Sequence, residues 1–189
     1  YVIDVCAAPG GKSLHMAEML RGTGHVEARD LTDYKVNLIW ENIQRSGMKN
    51  MEAVRFDATV LDEESIEKAD VVVADLPCSG LGVLGKKTDL KYKKTEKTQE
   101  DLVVLQRDIL SKVKNYVKPE GTLIYSTCTI HKKENMDNVH WFLQENADFE
   151  LVSIKDLLCD ELKKDVVEES CLQFLPGVHE SDGFFIAKF

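Results

Sequence analysis

Short apolar runs alternate with amphipathic segments along the whole chain, which is the sequence form of a parallel sheet covered by helices. Strands are expected near Val2–Cys6, His25–Asp30, Glu52–Phe56, Asp70–Asp75, Thr122–Ser126, Glu150–Ile154 and Gly183–Lys188, with the last two placed to pair at one edge. Helices are expected near Lys12–Leu20, Asp33–Gly47, Glu63–Lys68, Gln99–Val117 and Lys132–Asn146. The clearest is the fourth, where Leu102, Leu105, Ile109, Val113 and Tyr116 recur at spacings of three and four and lay one apolar stripe against the sheet. Pro119-Glu120-Gly121 then ends the helix and turns the chain into the next strand. The fold class that follows is α/β: a doubly wound, mostly parallel, Rossmann-like sheet of seven strands with helices on both faces. The longest irregular segment, from about Gly80 to Thr98, is rich in lysine, and long loops in compact domains are disproportionately functional.

With 189 residues, 43% hydrophobic and 30% charged, the chain is long enough for one well-cored domain, expected over residues 1–189. No stretch approaches the roughly 20 apolar residues that span a bilayer, and no signal pattern opens the chain, so the expected location is the cytoplasm. The first residues already read as a buried strand, so the chain is expected to be a fragment of something longer. Its 5 cysteines are an odd number at wide spacings without a Cys-x-x-Cys pair, which points to reduced thiols and to no metal site. A net charge of −9 argues mildly against a dedicated nucleic-acid-binding module. The distribution is uneven, however: Lys86, Lys87, Lys91, Lys93, Lys94 and Lys97 cluster just after Cys78. Such a cluster is more often a solvated face than a binding patch, but its place beside a candidate catalytic cysteine favours the patch.

The first strand runs into Ala7-Ala8-Pro9-Gly10-Gly11-Lys12-Ser13 and then a helix, a turn that brings backbone amides and a helix N-terminus toward a ligand. A Walker A loop needs a glycine where Cys6 stands, and the adjacent glycines do not make Gly-x-Gly-x-x-Gly. What remains is the looser turn of S-adenosylmethionine-dependent methyltransferases, or a structural turn without a ligand. Asp30 ends the second strand about 20 residues later, where a carboxylate accepts bonds from ribose hydroxyls, although strand-terminal aspartates also cap turns. Asp57 closes the third strand, either as an adenine contact or as a cap.

The fourth strand delivers Asp75-Leu76-Pro77-Cys78-Ser79-Gly80 to the same edge, with Pro77 holding Leu76 extended. The fifth delivers Thr127-Cys128-Thr129. In the doubly wound methyltransferase order these strands are neighbours, so the turn, Asp75, Cys78 and Cys128 are expected to share one crevice. A buried cysteine is usually inert packing, and Cys6, Cys159 and Cys171 keep that reading. Two thiols at adjacent strand ends beside polar residues read differently. Cys128 also shortly precedes an expected helix, whose N-terminal partial charge would favour a thiolate.

At these residues the chain resembles the Sun/Nop family of RNA cytosine-5 methyltransferases. The resemblance covers nearly the whole chain and rests on four motifs in order: Asp4-Val5-Cys6-Ala7-Ala8-Pro9-Gly10-Gly11-Lys12; Asp75-Leu76-Pro77-Cys78-Ser79-Gly80-Leu81-Gly82; Tyr125-Ser126-Thr127-Cys128-Thr129 with Glu134-Asn135; and Gly183-Phe184-Phe185-Ile186-Ala187. It implies that Cys6, Ala7, Ala8, Pro9, Gly10, Gly11, Lys12, Asp30, Asp57 and Asp75 contact or border S-adenosylmethionine. It further implies that Cys128 is the nucleophile and that Cys78 assists product release. Asp75 would hydrogen-bond the N3 and N4 edge of the cytosine, and Lys12 would orient the base or Asp75. The implied partner is RNA, expected to be small-subunit ribosomal RNA, with transfer RNA or a non-catalytic scaffold role as alternatives. Two departures stand out. As a fragment, the chain is expected to lack the family's N-terminal RNA-binding regions and the segment before the first strand that helps close the cofactor site, and Thr88 replaces a proline of the loop Lys86-Lys87-Thr88-Asp89-Leu90-Lys91-Tyr92, with no loss of chemistry expected.

Overall fold

The computed structural model describes residues 1–86, 96–160, 162–164, 166–168 and 170–189. Lys87, Thr88, Asp89, Leu90, Lys91, Lys93 and Lys94, and with them most of the lysine cluster and the departure at Thr88, lie outside the described residues. The strands are β1 (Val2–Asp4), β2 (Val26–Asp30), β3 (Met51–Arg55), β4 (Ala69–Asp75), β5 (Val117–Thr127), β6 (Val166–Glu168), β7 (Cys171–Phe174) and β8 (Phe184–Lys188). The α-helices are α1 (Gly11–Met19), α2 (Asp33–Ser46), α3 (Glu96–Val113) and α4 (Met136–Glu145). Hydrogen bonding orders the strands β3-β2-β1-β4-β5-β8-β7-β6. The α/β, mostly parallel, Rossmann-like class stands, with eight strands in place of the expected seven.

By internal contacts the chain divides into two compact units. The first comprises Tyr1–Asp75 and Ile109–Leu123. Here β3, β2, β1 and β4 are parallel, with Val2 opposite both Val26 and Val71. Its strands are apolar because they are buried: Val2, Ile3, Val26, Ala28, Val72 and Val73 lie in the core with Ala17 of α1 and Ile39 and Ile43 of α2. Helix α2 begins with Thr32 accepting from the Lys35 N–H and ends on Gly47 at φ 69°, whose N–H returns to the carbonyls of Ile43 and Gln44.

The second unit comprises Leu76–Asp108 and Ile124–Phe189. The end of β5, β8, β7 and β6 pair antiparallel here, with Tyr125 opposite Ala187 and Leu172 opposite Ile186. Tyr125, Phe142, Leu172, Phe185 and Ala187 form its core, and the Phe142 ring tilts against Phe189 at 4.7 Å.

Three expectations are corrected. Glu150–Ile154 forms no strand; Val152 N donates to Lys188 O of β8 at 2.8 Å, but the edge is built by β7 and β6 instead. Glu63–Lys68 shortens to a 3₁₀ turn over Glu63–Ser65. The helix expected over Lys132–Asn146 is divided at Asn135, where φ −111° and ψ −102° separate a 3₁₀ turn (Lys132–Glu134) from α4. In addition, β5 begins at Val117 and runs through Pro119-Glu120-Gly121, with Glu120 at φ 63°.

Candidate active site: a glycine turn and a thiol pair

In the first unit the glycine turn is held from several sides. Gly10 N donates to Ala7 O at 2.7 Å, Ala7 N to Arg29 O at 2.9 Å, and Asn42 Nδ2 of α2 to Pro9 O at 2.8 Å. Gly10 has φ 102°, and a Cβ there would lie 3.3 Å from Ile39 Cγ2, so backbone conformation and packing both select glycine. Gly11 opens α1, and a Cβ on it would meet nothing within 4 Å, so the helix start faces open space.

Asp30 is buried and accepts from Ala8 N at 3.0 Å, Leu31 N at 2.8 Å and Lys35 Nζ at 2.9 Å. It therefore ties the glycine turn to the end of β2. A carboxylate has about four acceptor positions, so little of Asp30 is left for a ribose hydroxyl. Asp57 is exposed and accepts from both Thr59 N and Thr59 Oγ1, at 3.0 and 2.7 Å, which holds its carboxyl below the usual range. Beside it Leu31, Arg55, Phe56, Asp57 and Val60 line an open cleft of about 380 Å³ of mixed polar and apolar character.

Lys12 Nζ and Asp75 Oδ2 form an ion pair at 2.7 Å, joining the start of α1 to the end of β4. Below them Asp4 is buried. Its Oδ2 accepts from Ser13 Oγ at 2.5 Å, while Oδ1 has no hydrogen-bond partner. Burial pushes the Asp4 carboxyl up to about 6, with repulsion from Asp75 adding to the rise. Cys6 is pushed up to about 12 by burial and by Asp30 and Asp4, so this thiol stays protonated.

In the second unit the two candidate cysteines meet. Cys78 Sγ lies 3.2 Å from Cys128 Sγ, both residues half-buried. The hydrogen bond to Cys128, followed by burial, drives the Cys78 thiol well above its ordinary value. Either sulfur can donate in this contact. The α-helix expected close behind Cys128 begins only at Met136, after the backbone break at Asn135.

Both thiols sit in a buried polar framework. Ser79 Oγ and Thr129 Oγ1 are 2.7 Å apart, and Leu76 N donates to Ser126 O at 3.1 Å. Glu134 Oε2 accepts from Ser79 N at 2.8 Å and from Gln106 Nε2 at 3.0 Å. Gly82 N donates to Cys128 O at 3.1 Å, and Gly183 N to Gly82 O at 2.8 Å, a backbone approach that only glycines permit. Gln106 carried no signal in the sequence, because it stands inside an apolar helix stripe; Glu134 and Asn135 stood in a motif without a role.

Cys159 is exposed and Cys171 fully buried. Among the described residues no group of three or more His, Cys, Asp or Glu side chains is placed to hold a metal ion, and no helix is long and apolar enough to cross a membrane.

The sequence profile of the family described as 16S rRNA methyltransferase RsmB/F matches residues 1–189. The chain is 41% identical over 188 residues to a probable ribosomal RNA small subunit methyltransferase B of Bacillus subtilis, and 30% identical over 187 residues to the ribosomal RNA small subunit methyltransferase F of Cronobacter sakazakii. It spans 42% and 39% of the length of those two proteins. Among solved structures, NSun6 from Pyrococcus horikoshii, crystallised with SFG, aligns over 99% of this chain and 46% of its own with a TM-score of 0.84 at 32% identity. A SAM dependent methyltransferase from Aquifex aeolicus shares the fold at 14% identity and a TM-score of 0.57, over 99% of this chain and 79% of its own. With the profile matched from end to end and the four motifs in order, the chain belongs to the 16S rRNA methyltransferase RsmB/F family.

Proposed function

We propose that this chain is the catalytic domain of an S-adenosylmethionine-dependent RNA cytosine-5 methyltransferase working through a covalent cysteine adduct, with small-subunit ribosomal RNA as substrate. The observation that carries the reading is the Cys78–Cys128 pair with its sulfurs 3.2 Å apart. A packing role calls for no such contact between two half-buried thiols flanked by hydrogen-bonded hydroxyls.

The first unit fits the cofactor. The orphan Asp4 Oδ1 is an acceptor suited to an ammonium group, the open N-terminus of α1 accommodates a carboxylate, and the cleft between Leu31, Phe56 and Val60 suits the nucleoside. In this reading the turn from Cys6 to Lys12 borders the ligand, Asp30 acts mainly by holding the turn, and Asp57 lies at the rim of the nucleoside cleft. When bound, S-adenosylmethionine supplies an electrophilic methyl group.

The chain's residues then have separate tasks. Cytosine C5 is a poor nucleophile, so the Cys128 thiolate adds at C6 and pushes electron density to C5. As Cys128 adds, N3 takes up a proton from water, and Asp75, its carboxylate fixed by Lys12, accepts from the N4–H and N3–H edge and offsets the positive charge left there. Once Cys128 is bonded to carbon it no longer carries the charge that keeps Cys78 protonated. With the Cys128 contributions gone the Cys78 thiol is lowered, burial alone still opposing; it gives its proton to water, and the thiolate so formed takes the C5 proton while Cys128 leaves C6 as a thiolate. No step calls for a metal or a membrane, and the proposed setting is the cytoplasm. The names of the relatives favour ribosomal over transfer RNA.

The test is methyl transfer from labelled S-adenosylmethionine to unmodified small-subunit ribosomal RNA and to transfer RNA, with mapping of the product. Label in 5-methylcytosine of the ribosomal RNA supports the reading. Label only in transfer RNA, or at another ring position, overturns its substrate or its chemistry.

A further inference from the structure

Two adjacent residues, Glu134 and Asn135, each reach to one side of the thiol pair, and all the groups involved belong to the second unit. Asn135 straddles Cys128: its Oδ1 accepts from Thr127 Oγ1 at 2.6 Å and its Nδ2 donates to Thr129 O at 3.0 Å. Glu134, with Gln106, straddles Cys78 in the same way. Ser79 N donates to Glu134 Oε2 at 2.8 Å, and Gln106 Nε2 donates to Pro77 O at 2.9 Å while also holding Glu134 Oε2 at 3.0 Å. Every anchor point is thus the immediate neighbour of a cysteine.

The frame behind these anchors is itself fixed. Asn138 Nδ2 donates to Gln106 Oε1 at 2.9 Å, the Tyr125 hydroxyl donates to Glu134 O, and Asn135 Nδ2 also donates to Gln173 Oε1 at 2.7 Å. Glu134, Gln106, Asn135 and Asn138 are all buried, where an unmade hydrogen bond is costly and a completed network is rigid. The backbone break at Asn135, φ −111° and ψ −102°, turns the two consecutive side chains onto different loops. Neither residue touches the sulfurs in any of these bonds.

We propose that Glu134 and Asn135, with Gln106, are positioning residues that set the separation of the two thiols. Glu134 fixes the loop of Cys78, Asn135 fixes the loop of Cys128, and their adjacency in the chain makes the spacing a property of one short segment. Its consequence for methylation, a Cys78 held where it takes the C5 proton from an adduct on Cys128, rests on the function proposed above; the thiol spacing does not.

The test reads the spacing without RNA. The chain is equilibrated in mixtures of reduced and oxidised glutathione, in which the two thiols and oxidised glutathione give one protein disulfide and two reduced glutathiones. Peptide mapping after alkylation gives the Cys78–Cys128 effective concentration. E134A should lower it at least tenfold in protein that circular dichroism shows folded. E134Q should stay within twofold, because its carbonyl still accepts from Ser79 N and Gln106 while its amide turns to His131 Nδ1, now 3.2 Å from Glu134 Oε1. That rescue separates positioning from a loss of overall stability. If E134A does not fold, Gln106→Met decides, with at least a threefold loss expected. A folded variant that keeps the parental value, an E134Q as impaired as E134A, or a parent chain that never forms this disulfide would each overturn the proposal. If the spacing responds as expected but no protein methylates RNA, the function proposed above fails and the positioning role stands.

Discussion

Asp4→Asn should make the protein more stable at neutral pH and leave it almost unchanged in acid. The carboxyl is buried, and that burial outweighs the Ser13 and Cys6 hydrogen bonds and the attraction of Lys12, so its charge is poorly compensated. Its rise from 3.8 to about 6 means that the folded protein binds this proton more tightly than the unfolded chain does. Between those values the folded state holds more protons, so stability falls as pH rises through the window. The penalty is absent below about 4 and complete above about 6. At about 1.4 kcal/mol for each tenfold change in proton affinity, it reaches about 3 kcal/mol at pH 7.5. Asparagine keeps the acceptor for Ser13 and removes the charge. Urea unfolding of both proteins, followed by far-ultraviolet circular dichroism at pH 4, 5, 6 and 7.5, checks this. The difference between variant and parent should grow with pH and flatten above 6. A constant difference at all four values would refute the burial of an uncompensated charge, and a variant destabilised only at pH 7.5 would mean that the ionised Asp4 is stabilising.

Two further outcomes follow from the first unit's turn and the second unit's glycine contact. S-adenosylmethionine or its demethylated product at about 100 times the dissociation constant should stabilise the fold by about 2.7 kcal/mol, read as a thermal shift, whereas ATP and NAD should give none; equal shifts with all three would remove the cofactor assignment. Gly82→Ala places a Cβ 2.2 Å from Gly183 O and 2.8 Å from Cys128 O, backbone atoms that cannot yield cheaply, and should cost about 1–3 kcal/mol or more in urea unfolding. Unchanged stability there would mean that the loops do not approach as described.

The parallel strands were legible because buried strands run apolar without interruption, as Val71-Val72-Val73-Ala74 does, and the glycine turn announced itself by the sequence Pro9-Gly10-Gly11. The other edge was misread for the converse reason. Leu151, Val152 and Ile154 look like strand residues, and Ile154 is indeed buried, but the pairing with β8 goes to Cys171–Phe174, whose buried Gln173 masks the apolar pattern. In α3 and the turn after it the expected apolar stripe is buried at Ile109, Val113 and Tyr116, and it departs from expectation only in the first half of the helix. Leu102 and Leu105 are only half-buried, while Gln106 and Leu110 are fully covered, because Gln106 serves Pro77, Glu134 and Asn138. A polar residue turned inward to complete a network has no periodic signature. The break in the helix after Cys128 was hidden likewise, since it depends on Asn135 reaching Thr127 and Thr129. The two cysteines were visible as a pair from their strand-end settings; their mutual hydrogen bond, and the rise of the Cys78 thiol that it causes, required the structure.

The most direct measurement separates the two thiols. Parent, Cys78→Ala, Cys128→Ala and the double variant, each in the full-length protein, are incubated with substrate RNA and S-adenosylmethionine and run on denaturing electrophoresis. Cys78→Ala should attack and methylate but fail to eliminate, leaving RNA covalently on the protein as a shifted band. Cys128→Ala and the double variant should show neither a shifted band nor methylation. A shifted band with Cys128→Ala that is lost with Cys78→Ala would reverse the two roles, and full methylation by Cys128→Ala would contradict the covalent mechanism itself.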